Sequence, residues 1–363
     1  MKTIHLIAAA RPNFMKVAPL YHALKATTWA IPQIVHTGQH YDYNMSASFF
    51  EDLGLPSPDF HLEVGSGSHA EQTGNVMMAY EKTLIANRPD LVVVVGDVNS
   101  TMACTLAAVK LGIKVAHLEA GLRSYDRRMP EELNRIVTDS LADFLWTPSI
   151  DGDENLVKEG VPKSKIEMVG NIMLDSFEML RSKIMESDIV SQLGLTKGKY
   201  GIVTLHRPSN VDVKEELSKL VDLLVEVSVQ DKILFAIHPR TKKRLEEFSF
   251  ADKIFGNKNI VVTEPQPYIK FMSLLLNSKY ALTDSGGIQE ETTYMGIPCF
   301  TLRENTERPV TITQGTNKMT DAMSAAGLIK NLGSTPNKTK PLPSLWDGKT
   351  AGRVVSAIQR ILS

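Results

Sequence analysis

Leu282-Thr-Asp-Ser-Gly-Gly-Ile-Gln-Glu-Glu291 carries the local pattern from which the architecture of the chain follows. Ser278-Lys-Tyr-Ala281 precedes it and reads with it as a short apolar strand, and Thr292-Thr-Tyr-Met-Gly296 continues it as a helix. A strand stops at Asp284-Ser285, turns through Gly286-Gly287 and opens a helix. This is the βα step of a parallel sheet. Glycine has no Cβ, so such a turn lets a ligand approach the backbone closely. The first amides of a helix lack intrahelical partners and carry partial positive charge, which suits an anion. Glu290 and Glu291, one turn on, suit hydroxyls rather than phosphate. Taken alone, the stretch is equally a plain βα turn with Ser285 as N-cap or a seat for a phosphate beside a sugar.

Working outward, the same alternation recurs. Residues 4–9, 33–37, 91–95, 114–118, 144–147 and 166–169 read as strands in the first half. Residues 200–205, 233–237, 259–263 and 299–302 do so in the second. Helical spacing fills 13–24, 69–87, 102–110, 131–141, 214–227, 269–276 and 350–362. Leu91-Val-Val-Val-Val95 is apolar throughout, the pattern of a strand buried on both faces. The chain of 363 residues exceeds one ordinary core. The fold class expected is α/β, with two Rossmann-like domains facing across a cleft. Their bounds are 1–170 and 171–345, with a polar linker over 186–199 and a terminal segment 346–363.

Apolar content of 43% and charged content of 22% are those of a soluble globular protein. A net charge of −1 argues against a nucleic-acid surface, which needs a basic excess. No stretch nears the ~18 apolar residues of a membrane helix, and the apolar run at the start is too short for a signal peptide. Cys104 and Cys299 sit in apolar segments without metal-ligand spacing, which reads as buried thiols in a reducing compartment. The expectation is a cytoplasmic protein with no metal.

Ligands of open parallel sheets sit beyond the carboxyl ends of the strands. In the first half those ends carry Arg11 with Lys16, then Gln39 and His40, Asp97, Glu119 and Arg123. In the second they carry His206 and Arg207, His238 and Arg240, then Arg303, Glu307 and Arg308. Charged residues at nearly every strand end point to a functional cleft. Asp97 and Glu119 end neighbouring central strands, and two close carboxylates raise each other's pKa, so one can hold a proton while the other accepts one. Glu119 is alternatively a salt-bridge partner of Arg123, and Glu131 alternatively a helix N-terminal charge favoured by the dipole. No GxGxxG follows the first strand, where Ala8-Ala-Ala-Arg-Pro12 stands, and there is no GxxxxGK[ST]. A nicotinamide cofactor or ATP hydrolysis therefore has no direct support.

Eight pieces in order resemble the non-hydrolysing UDP-N-acetylglucosamine 2-epimerases. They are Ala9-Ala-Arg-Pro-Asn-Phe-Met-Lys16, His36-Thr-Gly-Gln-His-Tyr-Asp42, Gly96-Asp97, His117-Leu-Glu-Ala-Gly-Leu-Arg123, Met129-Pro-Glu-Glu-Leu-Asn-Arg135, Leu205-His-Arg207, Asp284-Ser-Gly-Gly-Ile-Gln-Glu-Glu291 and Thr306-Glu-Arg-Pro309. The resemblance implies a GT-B-like pair of domains, with the C-terminal helix crossing back to the first. It implies a cytoplasmic homodimer acting on a UDP-sugar, with no cofactor and no metal. UDP is eliminated to leave 2-acetamidoglucal, then added back with C2 inverted. Carried over, Asp97, Glu119, Glu131 and His206 are catalytic. Arg11, Lys16, Arg207, Ser285, Gly286, Gly287, Glu291 and Arg308 hold UDP, with Gln39, His40, His238 and Arg240 as further ligand contacts.

The sequence departs from the family pattern in three places. Asn13 stands where many members have Glu. His238-Pro-Arg-Thr241 replaces the more frequent His-Pro-Asn, as in relatives that epimerise UDP-2,3-diacetamido-glucuronic acid, whose extra carboxylate suits Arg240. Glu71 stands where some members use arginine to sense an activating UDP-sugar. A GT-B glycosyltransferase and a non-catalytic UDP-sugar sensor are the competing readings, and the three acids Asp97, Glu119 and Glu131 favour the epimerase.

Overall fold

Apolar β-branched runs build the first sheet. Its strands in chain order are β1 (Lys2–Ala8), β2 (Ala30–His36), β3 (Phe60–His61), β4 (Leu91–Val95), β5 (Val115–Leu118), β6 (Phe144–Thr147) and β7 (Ile166–Met168). They lie in the order β3-β2-β1-β4-β5-β6-β7, all parallel. Every residue of β4 is buried, as a central strand covered by helices on both faces requires. The second sheet holds β8 (Tyr200–Thr204), β9 (Lys232–Ala236), β10 (Ile260–Thr263), β11 (Tyr280–Thr283), β12 (Cys299–Leu302) and β13 (Asn317–Thr320). Its order is β10-β9-β8-β11-β12-β13, again all parallel. Each sheet is doubly wound. Each reverses direction once, between β1 and β4 in the first and between β8 and β11 in the second. At such a switch point the loops diverge and leave a crevice at the carboxyl ends.

The structure is a computed structural model that describes residues 1–9, 11–38, 50–332 and 341–363, with Arg11 by its backbone alone. Two compact units emerge, Met1–Met179 with Ser344–Ser363, and Leu180–Pro343. Each has its own apolar core. The C-terminal helix Thr350–Leu362 belongs to the first unit. Asp175 accepts the amides of Thr350 at 3.0 Å and Ala351 at 2.7 Å, which satisfies the open helix start. Trp346 Nε1 donates to the carbonyl of Pro148 at 2.9 Å, and Val354, Ala357 and Ile358 are buried.

The expected linker is partly ordered structure. Helix Ile172–Glu186 runs up to it, and a short helix Ile189–Gln192 lies within it, with Ile189, Val190 and Leu195 buried. Three apolar side chains in a polar run are too few to register as periodicity. Strands β3 and β13 were likewise not read. One is two residues long, and the other, Asn-Lys-Met-Thr, is a polar strand at the sheet edge. Pairing with β2 and β12 makes these strands, rather than intrinsic propensity.

Candidate functional site

In the first unit the ends of the neighbouring strands β4 and β5 carry acids. β4 turns through Gly96, at φ +70°, into Asp97. β5 runs directly into Glu119, whose φ is +75°. A non-glycine residue held there is strained by about 1–3 kcal/mol, and such strain concentrates at functional positions. Glu119 is 3% exposed and forms a short ion pair with Lys16 Nζ. Its other oxygen, Oε1, is buried without a hydrogen-bond partner among the described residues. Leaving a buried acceptor unmet costs about 1–3 kcal/mol, so this oxygen is poised for a donor from outside the chain. Gly96 makes room for the pair, since a Cβ there would lie 3.1 Å from Lys16 Nζ and 3.3 Å from Glu119 Oε2. Asn13, the departure from the family acid, donates Nδ2 to the carbonyl of Val95 at 2.9 Å and ties the first helix to the end of β4.

Asp97 has a cation of its own. Its carboxylate, 30% exposed, meets Arg135 Nη1, which comes from helix Pro130–Leu141. Asn134 Nδ2 donates to the carbonyl of Asp97 at 2.9 Å. Arg135 is itself fixed by Glu132 at 2.6 Å. Glu132 accepts the amides of Ser124 at 2.9 Å and Tyr125 at 2.8 Å. Burial pushes the Glu132 carboxyl up, but those amides and Arg135 outweigh it and hold it below its usual value. The first-turn acid facing inward is thus Glu132, while Glu131 is exposed. Of the pair Glu131-Glu132 the sequence pointed to Glu131, and Asn134 and Arg135 stood only in a quoted motif. The signal was the spacing of Glu132 and Arg135, three apart on one helix face.

Two expectations change here. Asp97 and Glu119 each pair with a cation of their own, where the sequence suggested two close carboxylates raising each other's pKa. Arg123 does not partner Glu119; it binds Asp139 and Glu159, each at 2.7 Å. Lys16, a residue expected on UDP, pairs with Glu119.

In the second unit the switch point is joined by Asp284. This fully buried residue follows β11 and accepts the amides of His206 at 3.0 Å and Arg207 at 2.9 Å, both of which follow β8. Asn210 Nδ2 at 3.1 Å and His206 Nδ1 at 2.8 Å complete its shell. Burial pushes the Asp284 carboxyl up, yet His206 and these amides outweigh it and hold it low. Asp284 therefore fixes the His206 ring, which is 41% exposed. Arg207 Nε donates to the carbonyl of Asp284 at 3.1 Å. In the sequence Asp284 marks only the end of a strand; a carboxylate at a strand terminus is its one signal of a further role.

Ser285 stands at the N-cap of helix Gly286–Met295, but its side chain caps nothing and the first turn carries no acid. The helix start keeps its positive end unneutralised from within. A Cβ on Gly286 would lie 2.6 Å from Arg308 Nη1 and 2.8 Å from Glu307 Oε1, whereas Gly287 faces open space. Arg308 is thus packed onto the turn, held by Glu290 at 3.0 Å and Glu307 at 2.6 Å. Glu307 also meets Arg303 at 2.8 Å. Burial opposes its charge, but the two arginines drive its carboxyl far below the usual range. Glu291 is different. It is buried, and burial pushes its carboxyl up to about 8; Tyr268 pulls the other way and Glu290 adds to the rise.

His238 lies with its ring centroid 5.8 Å from that of His206. Burial, then the charges of His206 and Arg240, push its pKa down. Arg240 is paired with Asp212, its Nε at 3.0 Å. Gln39 and His40 lie outside the described residues, and Arg11 opens helix Arg11–Lys25. Among the described residues no group of three or more His, Cys, Asp or Glu is placed to hold a metal ion. No helix among them is long and apolar enough to cross a membrane. Chemically, the first unit offers acids for proton transfer, and the second offers a seat for an anion.

The family model described as UDP-N-acetylglucosamine 2-epimerase matches residues 22–359. The chain is 43% identical over 361 residues to a UDP-N-acetylglucosamine 2-epimerase of Methanocaldococcus jannaschii, with 97% of each protein covered. It is 38% identical over 326 residues to a UDP-2,3-diacetamido-2,3-dideoxy-D-glucuronate 2-epimerase of Pseudomonas aeruginosa, with 89% of each covered. Its fold is similar to the crystal structure of the Methanocaldococcus jannaschii UDP-GlcNAc 2-epimerase in complex with UDP-GlcNAc and UDP, at a TM-score of 0.88 and 40% identity, over 99% of both chains.

Proposed function

The chain belongs to the UDP-N-acetylglucosamine 2-epimerase family, and from that premise we propose that it interconverts UDP-N-acetylglucosamine and UDP-N-acetylmannosamine. The observation that carries this reading is Glu119, a buried acid at positive φ with one unmet oxygen, one strand away from the more exposed Asp97. A sugar C2–H is too weakly acidic for direct removal by a carboxylate. Breaking the C1–O bond first builds positive charge at C1 and acidifies C2–H. UDP departs with the bonding electron pair, and a carboxylate of the first unit, acting as base, takes the C2 proton. The product, 2-acetamidoglucal, is then protonated on its opposite face while a UDP oxygen re-forms the bond to C1.

The roles divide between the units. Asp97 and Glu119 move the C2 protons, with Glu131 as a further acid. The amides after Ser285, with Gly286, Gly287, Arg308 and Arg11, stabilise the departing diphosphate electrostatically. His206, oriented by Asp284, assists at the diphosphate, and Arg207 holds its phosphate. Glu291 receives the ribose hydroxyls. Lys16 serves through its pairing with Glu119. The family resemblance extends the proposal to a homodimer in the cytoplasm.

A second reading takes UDP-2,3-diacetamido-glucuronate as substrate, supported by the Pseudomonas aeruginosa relative. The cation suited to its extra carboxylate, Arg240, is already paired with Asp212, which favours the simpler sugar. The test is incubation of each substrate in deuterated water. The proposal expects deuterium at C2 and the manno epimer from UDP-N-acetylglucosamine. A folded, UDP-binding sample that gives neither would sink it.

A further inference from the structure

Behind the strand ends of the first unit lies a buried cluster that the proposed chemistry does not use. His117, on β5, is fully buried. Its Nε2 lies 2.8 Å from the carbonyl of Gly96 and its Nδ1 2.6 Å from Asp139 Oδ1. A carbonyl only accepts, so Nε2 carries a hydrogen and donates it. Asp139, 2% exposed on helix Pro130–Leu141, turns its other oxygen to the amide of Gly121 at 3.1 Å and to Arg123 at 2.7 Å. Burial opposes charge on Asp139, but His117 and Arg123 outweigh it and keep it ionised. Arg123 is closed off by Glu159, bonded at 2.7 Å to both Nε and Nη2.

What this cluster grips is specific. Gly96 immediately precedes Asp97, and Gly121 follows Glu119 by two residues. One imidazole–carboxylate pair therefore holds both loops that carry the proposed acids. Glu119, at positive φ, needs such external restraint. Gly121 is held a second way, since a Cβ there would lie 2.4 Å from the carbonyl of Gly152, and Asn155 Nδ2 donates to the Gly121 carbonyl at 2.9 Å.

We propose that His117 and Asp139 are positioning residues of the reaction, clamping the Gly96 and Gly121 turns so that Asp97 and Glu119 keep one fixed separation. The inference rests on the epimerase reading. Proton removal from one face of C2 and return to the other need two acids in register, and a displacement near 1 Å costs about 10²-fold in rate. Loss of the clamp loosens that register without touching the UDP seat of the second unit.

The test uses the full chain with Asp139→Asn and, as a milder change, His117→Gln. Measured on UDP-N-acetylglucosamine are kcat, KM, UDP affinity and the amount of 2-acetamidoglucal released per epimer formed. The expected result is a kcat lowered about 10²-fold, UDP affinity within twofold of the parent, and more free glucal per turnover, because re-protonation falls behind elimination. A purely structural role reduces the amount of folded enzyme but leaves the glucal ratio unchanged. An unchanged ratio, a parental kcat per folded molecule, or failure of both variants to fold overturns the proposal. A parent enzyme inactive on UDP-N-acetylglucosamine sinks the epimerase reading and this one with it; a fully active parent with unaffected variants sinks only this one.

Discussion

Adjacent glycines at the turn after β11 should respond in opposite ways to the same methyl group. At Gly286 an added Cβ meets Arg308 Nη1 at 2.6 Å and Glu307 Oε1 at 2.8 Å. Neither can yield freely, because Arg308 is also tied to Glu290, and Glu307 to Arg303. Gly286→Ala must either push Arg308 off the turn or break its ion pair with Glu307. Overpacking of a filled site costs about 1–3 kcal/mol. If Arg308 helps to hold the diphosphate, the same displacement weakens UDP by about tenfold to hundredfold, at 1.4 kcal/mol per decade. At Gly287 the methyl meets nothing within 4 Å. Alanine there narrows the unfolded ensemble and stabilises by about 0.4–1 kcal/mol. Gly287→Ala should keep or raise Tm, and any loss of UDP affinity in it reports direct approach of the ligand to the turn. The assays are thermal denaturation and UDP titration by calorimetry on both variants. A Gly286→Ala protein with parental Tm and parental UDP affinity would refute the packing of Arg308 onto this turn.

Three further outcomes are expected. Asp97→Asn should abolish turnover and leave UDP binding intact; a collapse of UDP affinity with unchanged rate per bound substrate would make Asp97 structural instead. Lys16→Met leaves Glu119 buried without its cation and should destabilise by about 3–5 kcal/mol, with much of this recovered in the Lys16→Met, Glu119→Gln double variant, as a denaturation cycle would measure. Glu291 is raised to about 8 in the folded chain from an ordinary value of 4.5. Its neutral form favours folding, so its contribution is full below that ordinary value and is lost as pH rises from there toward 8. Glu291→Gln should therefore gain in Tm on the parent between pH 5 and pH 8, and a Tm difference constant with pH would refute the shift.

Much of this protein was legible in its sequence because the signals were local. Leu91–Val95 is apolar at every position, and only a strand covered on both faces tolerates that. Asp284-Ser-Gly-Gly287 states a strand end, a turn and a helix start within four residues. Strand ends carry the ligand groups in doubly wound sheets, so position alone marks Asp97, Glu119 and His206 as candidates. What periodicity could not supply was partnership. Whether Glu119 met Arg123, four residues away, or Lys16, in another helix, depended on which loops the sheet order brings together. Of Glu131 and Glu132, neighbours with the same side chain, the helix phase turned Glu132 inward to Arg135. Polar residues such as Asp139 and His117 carry no apolar rhythm, and their clamp arises only when β4, β5 and helix Pro130–Leu141 pack. Sequence set the elements and the residues at their ends through short-range sterics and hydrophobic pattern. Tertiary structure alone set which charges face each other, because burial makes an unpaired charge too costly to leave where local preference would put it.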